Sequence, residues 1–253
     1  MTQATPSAYQ EDRQDLQVQR HRDLLYFPHW HSDIEGLFVS EGRTRITCNL
    51  ETATLGPGST AVFLPGDVHC FESEGPSESI VFRIRPDLLD PELQQALQAT
   101  RFRSPFHDGE SFRASGLADR IESAFRTALE EDTHPGSFRR TAVLCRVTEF
   151  FVLAFRIFPT RKAEDRASAR DRYNIALMQD IMAYIDRSLA DRISLDSISD
   201  HFHLCPFYFS RLFKRMFGIN LKEYVNRTRT RRAKELLLQT DLKITSISFE
   251  CGY

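Results

Sequence analysis

From Leu24 to Arg85, apolar residues come in short alternating runs broken by Gly and Pro; from Pro86 to Tyr253 they recur at three-to-four spacing. A period near two marks half-buried strands, and a period near 3.6 marks amphipathic helices. In the first region, "LFVSEGRTRITCNL" holds two short β runs around Glu41-Gly42, which predicts a hairpin there. "LGPGSTAVFLPGDVHCF" sets an apolar strand, Ala61 to Leu64, between a Gly-Pro-Gly turn and a second turn at Pro65-Gly66, and "SIVFRIRP" is a further strand. Many short strands with such turns predict a barrel or sandwich. The polar start, residues 1–23, lacks an apolar core segment; it reads as a flexible tail and not as a secretory signal.

After Pro86, "DLLDPELQQALQAT", "GLADRIESAFRTALEE" and "SFRRTAVLCRVTEFFVLAFRIF" all read as helices. In the last, Phe138, Ala142, Cys145, Thr148/Glu149 and Val152 form one stripe, with Leu144, Phe151 and Phe155 beside it. That face packs against the β domain, against its copy in a dimer, or both. Residues 159–172, "PTRKAEDRASARDR", are polar and charged and read as a linker. The organisation is therefore a tail (1–23), a β-rich domain with helices (24–158), a linker (159–172) and a helical domain (173–253).

Bulk properties narrow this picture. The 253 residues are 41% hydrophobic and 27% charged, as in an ordinary soluble domain pair, and no apolar run approaches the ~18 residues of a membrane span. Five scattered cysteines without a CxxC pair argue against a disulfide framework and fit a cytoplasmic protein. The net charge of −2 divides into an acidic part before Arg166 and a basic part after it, which suits a polyanion partner for the second domain.

In that second domain, "YNIALMQDIMAYIDRSLADR" is an amphipathic helix carrying Ile175, Met178, Ile181, Met182, Ile185 and Leu189. Ser194 caps a short helix with Asp196 in its first turn, and Pro206 opens "PFYFSRLFKRMF", which Gly218 closes. Phe209, Leu212, Phe213 and Met216 form the buried stripe of that helix, leaving Phe207, Ser210, Arg211 and Lys214 outside. A helix, a tight turn and a second helix with a basic, hydrogen-bonding face is a helix-turn-helix arrangement, whose second helix fits a DNA major groove. Arg211 suits guanine, Ser210 several base edges and Phe207 a thymine methyl, while Lys214 and Arg215 sit where phosphates would lie. A helical bundle with a solvated basic face is the competing reading.

The next helix, "NLKEYVNRTRTRRAKELLLQT", is capped by Asn220, with Glu223 three residues on, and carries Arg227, Arg229, Arg231, Arg232 and Lys234. Beyond it, Ile244-x-x-Ile247-Ser248 repeats Leu195-x-x-Ile198-Ser199, so that Tyr253 corresponds to Leu204, and a second recognition helix is expected to follow. "SRLFKRMFG", the arginine-rich helix and "ITSISFECGY" together resemble the DNA-binding domain of the AraC family of bacterial transcription regulators, over residues 173–253. The resemblance implies two helix-turn-helix units reading successive major grooves, with Phe207, Ser210 and Arg211 as base readers. Cys205 departs from the usual Ser cap, and Ser199 and Ser248 from the usual Ala.

"HWHSDIEGLFVSEG" spaces His29, His31 and Glu35 so that one continuous strand would aim all three inward, and His69 follows the Pro65-Gly66 turn on a later strand. Three His and a Glu inside a barrel make a polar effector pocket, a divalent-metal site, or framework residues with no ligand. The spacing resembles the cupin motif with Gly42 as its closing glycine. The second motif is degraded, with Pro65 and Gly66 adjacent and Ser73 in place of Asn. Such barrels are the usual sensor domains of AraC-like regulators.

The fold class expected is α+β: an N-terminal cupin-like β-barrel with following helices, then an all-α helix-turn-helix domain. The function expected is a cytoplasmic, homodimeric transcription regulator that binds double-stranded DNA and a small-molecule effector, a sugar by family habit. It has no catalytic residues, no cofactor beyond a divalent metal in the barrel, and no membrane contact. The rival readings are a metal-dependent cupin enzyme and a truncated regulator that antagonises full-length partners through mixed dimers.

Overall fold

The computed structural model describes residues 15–134, 136–162 and 169–253. The chain divides into two compact units, one formed by Glu11–Asp171 and the other containing Arg172–Tyr253.

In the first unit, β1 (Leu16–Arg22), β2 (Leu25–His29), β3 (Ile34–Glu41), β4 (Thr44–Cys48), β5 (Glu51–Leu55), β6 (Thr60–Phe63), β7 (His69–Ser73) and β8 (Glu78–Ile84) precede the helices. Then come α1 (Pro91–Ala99), β9 (Thr100–Phe102), β10 (Phe106–His107), α2 (Gly109–Ser115), α3 (Ala118–Thr133), α4 (Arg139–Ile157) and β11 (Thr160–Lys162). The strands build a five-stranded sheet, β1-β8-β3-β6-β10, and a four-stranded sheet, β2-β7-β4-β5, with β9 and β11 paired separately.

β3 shows how one strand serves two cores. Ile34 and Phe38 face outward into a layer shared with Phe82, Phe125, Phe150 and Phe151, whereas Leu37 and Val39 face inward beside Ile46, Phe63 and Phe71. The period of two that separates these sets also turns Glu35 inward with Leu37. Between Ile34 and Phe38, Gly36 leaves room for the Phe82 ring: a Cβ there would stand 2.3 Å from its Cζ.

Several sequence expectations need correction. The tail expected over residues 1–23 contains β1, because Leu16 and Val18 alternate inward and β1 pairs with β8 along its whole length; residues 1–14 lie outside the described residues. No hairpin joins the runs flanking Glu41-Gly42: β3 pairs with β6 and β8, and β4 with β5 and β7, so the chain changes sheets at Gly42. The tight hairpin is instead β4–β5, turning at Asn49-Leu50 with Asn49 at φ 53°. In α4 the expected stripe is the outer one. Phe138 is 82% exposed and Cys145 is exposed, while Val143, Val147, Phe150, Phe151 and Ala154 are buried. Both stripes have helical spacing, and the one carrying Phe150 and Phe151 removes more apolar area from water. The expected linker, 159–172, begins with β11 and ends in α5; residues 163–168 lie outside the described residues.

The second unit is helical: α5 (Ala169–Arg187, its start shared with the first unit), α6 (Leu195–His201), α7 (Pro206–Phe217), α8 (Leu221–Gln239) and α9 (Ile244–Glu250). Ser194 and Ser197 close a reciprocal capping box on α6, Asn220 Oδ1 accepts the Glu223 N–H on α8, and Gly218 ends α7 at φ 73°. Cys205 caps α7 without a side-chain hydrogen bond. The core forms where Phe209, Phe213, Phe217 and Tyr224 meet, with Phe213 and Phe217 ring centroids 4.4 Å apart and Phe217 stacked on Tyr224.

Candidate sensor site and nucleic-acid interface

His29 ends β2, His31 lies in the turn that follows, Glu35 lies on β3 and His69 opens β7. The chain bends between Trp30 and Asp33, so His29, His31 and Glu35 do not share one strand. They converge because β2 and β3 belong to different sheets that face each other across the bend. His69 joins them across the β2–β7 pairing, where it stands opposite His29. The Pro65-Gly66 turn steers it there, since Gly66 N–H donates to the His31 carbonyl at 2.9 Å.

All four side chains are at most 6% exposed, and one donor atom from each lies within 4.8 Å of those of the others. Each imidazole has its Nδ1 on a backbone carbonyl: His29 on Phe27 at 2.8 Å, His69 on Asp67 at 2.8 Å and His31 on Asp33 at 3.1 Å. A carbonyl only accepts, so each Nδ1 carries a proton and each Nε2 faces inward. His31 Nε2 is 3.0 Å from Glu35 Oε2, and His69 Nε2 is 3.8 Å from Glu35 Oε1. The 3.8 Å separation is too long for a hydrogen bond, and His69 Nε2 is a buried polar atom without one. Burial, reinforced by the neighbouring His69, pushes His29 well below the ordinary imidazole range. Burial opposes charge on Glu35 as well, but His31 and His69 beside it outweigh that and hold the carboxyl well below its usual range. Aromatic rings crowd the imidazoles: Phe63 stacks on His69 with centroids 4.4 Å apart, and Phe71 and Tyr26 approach His29. Arg83, across from Glu35 in the β3–β8 register, holds Asp33 at 3.4 Å behind the site.

In the helical unit, α7 buries Phe209, Leu212, Phe213 and Met216 and exposes Phe207, Ser210, Arg211, Lys214 and Arg215. Phe207 is 71% exposed, and the Arg211 guanidinium carbon sits 5.6 Å from its ring centroid, a cation–π pair on the outer face. Tyr208 donates to Asn174 Oδ1 at 2.9 Å and ties α7 to α5.

The arginines of α8 divide by task in a way that spacing did not reveal. Arg229 donates to the carbonyls of Leu189 and Asp191 at the end of α5, at 3.1 and 2.7 Å. Arg231 faces Asp186 at 3.7 Å, Arg227 pairs with Glu223, and Arg232 pairs with Glu235. This helix uses much of its positive charge as internal bracing.

The sequence repeat is present bond for bond. Leu204 N–H donates to Ser199 O at 2.8 Å and Tyr253 N–H to Ser248 O at 2.9 Å; His203 bonds Asp200, and Gly252 bonds Phe249. His203 at φ 54° and Gly252 at φ 76° take the same left-handed step. At the second position glycine is required twice over, because a Cβ would also stand 2.2 Å from the Leu189 carbonyl oxygen.

Two domain descriptions match the chain: an AraC-like ligand binding domain over residues 14–145 and a helix-turn-helix domain over residues 198–253. The chain belongs to the AraC family of transcription regulators. It is 41% identical over 76 residues to the regulatory protein PocR of Salmonella typhimurium, a match covering 30% of this chain and 25% of that protein. A match to the regulator YijO of Escherichia coli is 37% identical and covers 31% of this chain and 28% of that one, so the chain spans only about a quarter of these relatives. The activator RhaS of Klebsiella pneumoniae is 24% identical over 238 residues, with 90% of this chain and 80% of that protein covered. Among solved structures, ToxT of Vibrio cholerae O395 is similar with a TM-score of 0.44 and 12% identity, covering 94% of this chain and 88% of that one.

Proposed function

We propose that this chain is a sequence-specific, DNA-binding transcription regulator whose N-terminal barrel responds to a small ligand. The observation that carries the reading is α7: a capped helix anchored by five buried apolar residues, with Phe207, Ser210 and Arg211 on its open face. Arg211 and Ser210 read base edges, Phe207 contacts a thymine methyl, and Lys214 and Arg215 meet phosphates. The helix-turn-helix match and the names of the relatives support a regulator over a metal-dependent enzyme. Among the described residues no helix is long and apolar enough to cross a membrane. Cytoplasmic action is part of the proposal.

Selection from random-sequence duplexes tests it: enrichment of a defined site is expected, with affinity falling steeply as salt rises. No enrichment, or binding indifferent to salt, would overturn the reading. On the selected site, Arg211→Ala is expected to cost about 1–3 kcal/mol and to relax preference at one base position. Equal losses on every sequence would make Arg211 a phosphate contact instead.

The working form in this reading is a homodimer. Its support is the outer stripe of α4, where Phe138, Ala142, Cys145 and Val152 line a face left outside the buried core. Light scattering after size exclusion is expected to give twice the chain mass, and Phe138→Arg to shift the population toward single chains. A wild-type chain that runs as a monomer at tens of micromolar would refute the dimer.

A further inference from the structure

We infer that the ligand of the sensor barrel is a divalent first-row transition-metal ion, held by His29, His31 and His69 through Nε2 and by Glu35 through its carboxylate. That the ion acts as the effector rests on the regulator reading above.

Size and surround make the first argument. Four donor atoms within 4.8 Å of one another enclose a space fit for an ion, with bonds of about 2.0–2.2 Å after modest contraction. An organic effector such as a sugar needs a cleft and several polar partners for its hydroxyls. Here the donors are almost fully buried, and the ring neighbours are Phe63, Phe71 and Tyr26.

Preorganisation makes the second argument. Three separate backbone carbonyls take the Nδ1 protons and aim each Nε2 inward, where an ion would displace the proton shared between His31 Nε2 and Glu35. His69 Nε2 is buried without a hydrogen bond and faces Glu35 Oε1 at 3.8 Å, a gap that an ion between them would bridge.

Donor chemistry narrows the ion. Three neutral imidazoles and a carboxylate, with no thiolate, suit manganese, iron, cobalt, nickel or zinc and not copper(I). Cys48 pairs with His69 in the β4–β7 register but is not among the converging donors, and burial pushes its thiol well above the ordinary range.

The placement implies a mechanical consequence. His29 and His69 belong to the four-stranded sheet and Glu35 to the five-stranded one. An ion at this point clips the two sheets together, so occupancy changes how firmly the barrel closes.

The test uses the full chain, stripped with chelator and titrated separately with Mn²⁺, Co²⁺ and Zn²⁺. Expected are calorimetric binding at one ion per chain, a rise of at least ~4 °C in the barrel transition at saturating ion, and a visible Co²⁺ ligand-field spectrum. His69→Ala and the more conservative His29→Gln should each lose the spectrum and at least ~10-fold in affinity. Binding to none of the three ions, or binding unaltered in both variants while they remain folded, overturns the site. DNA affinity is then measured on a duplex selected with the ion present and again with the ion removed. A several-fold difference supports the ion as effector, and equal affinities overturn that role. Failure to bind any DNA in either state refutes the regulator reading, leaving the calorimetry to judge the metal site by itself.

Discussion

Phe213→Ala is expected to unfold the helical unit while leaving the barrel intact. Phe213 is 0% exposed and touches three rings: Phe209, Phe217 and Tyr224, at centroid distances of 5.6, 4.4 and 5.5 Å. Removing it takes away the transfer free energy of a buried benzyl group and leaves a cavity that α7 and α8 cannot close without abandoning their caps. Such substitutions cost about 3–5 kcal/mol, a large share of what a small helical unit has. The two units are told apart because the single tryptophan, Trp30, is buried in the barrel and reports the first unit, whereas circular dichroism at 222 nm reports the helices of both, α1–α4 and α5–α9. The expected result is early loss of the α5–α9 share of the helical signal, with the α1–α4 share persisting and the Trp30 transition unmoved. If both signals shift together, the units unfold as one, and α7 is not an independent platform for a DNA-reading face.

The second large effect is acid destabilisation of the barrel through His107. This residue sits on β10 between Phe102, Phe112 and Phe158, stacked on Phe158 at 3.5 Å, with a buried Nε2 that lacks a hydrogen bond. Burial lowers its pKa from 6.5 to about 3. The folded state therefore holds the ring neutral, while the unfolded chain takes up a proton below pH 6.5. Stability is full above pH 6.5 and falls as the pH drops from there toward 3, by up to an amount on the order of 5 kcal/mol. His29, also held well below the ordinary range by burial, adds in the same direction. Urea unfolding followed by Trp30 fluorescence between pH 7.5 and 4.5 measures the slope. His107→Phe keeps the stacking, removes the proton site and is expected to flatten the curve, with the remainder due to the other groups whose pKa is lowered, His29, His21 and Glu35 among them. Superimposable curves for wild type and variant would show that His107 does not carry the linkage.

Much of the helical unit was legible because its signals are local. Ser194, Pro206, Gly218 and Asn220 cap by their own chemistry with neighbours a few residues away, and the buried stripe of α7 follows from helical geometry alone. The repeat ending at Tyr253 was visible for the same reason, and the backbone bonds reproduce it. The barrel was harder. Gly42 signals a turn correctly, with φ 71°, but nothing local says whether the strands it joins pair with each other or lie in different sheets. The outer stripe of α4 failed through degeneracy, since that helix is apolar on more than one side and only the partner surface decides which side wins. β1 was missed because its inward Leu16 and Val18 are diluted by Gln17, Gln19 and Arg20, and pairing with β8 makes it a strand.

Residue identity and spacing therefore determined the two-part architecture, the caps and faces of α7, and the identity of the His/Glu set. Those features depend on backbone geometry within a few residues of each position. Tertiary structure alone decided that His29, His31, Glu35 and His69 meet from two facing sheets and that α8 turns Arg229 and Arg231 inward as braces. It also decided that His107 is neutral among phenyl rings. The physical reason is common to all three: they are set by non-local packing, where burial and partner distance fix the state of a polar group, and neither quantity is written in the order of residues along the chain.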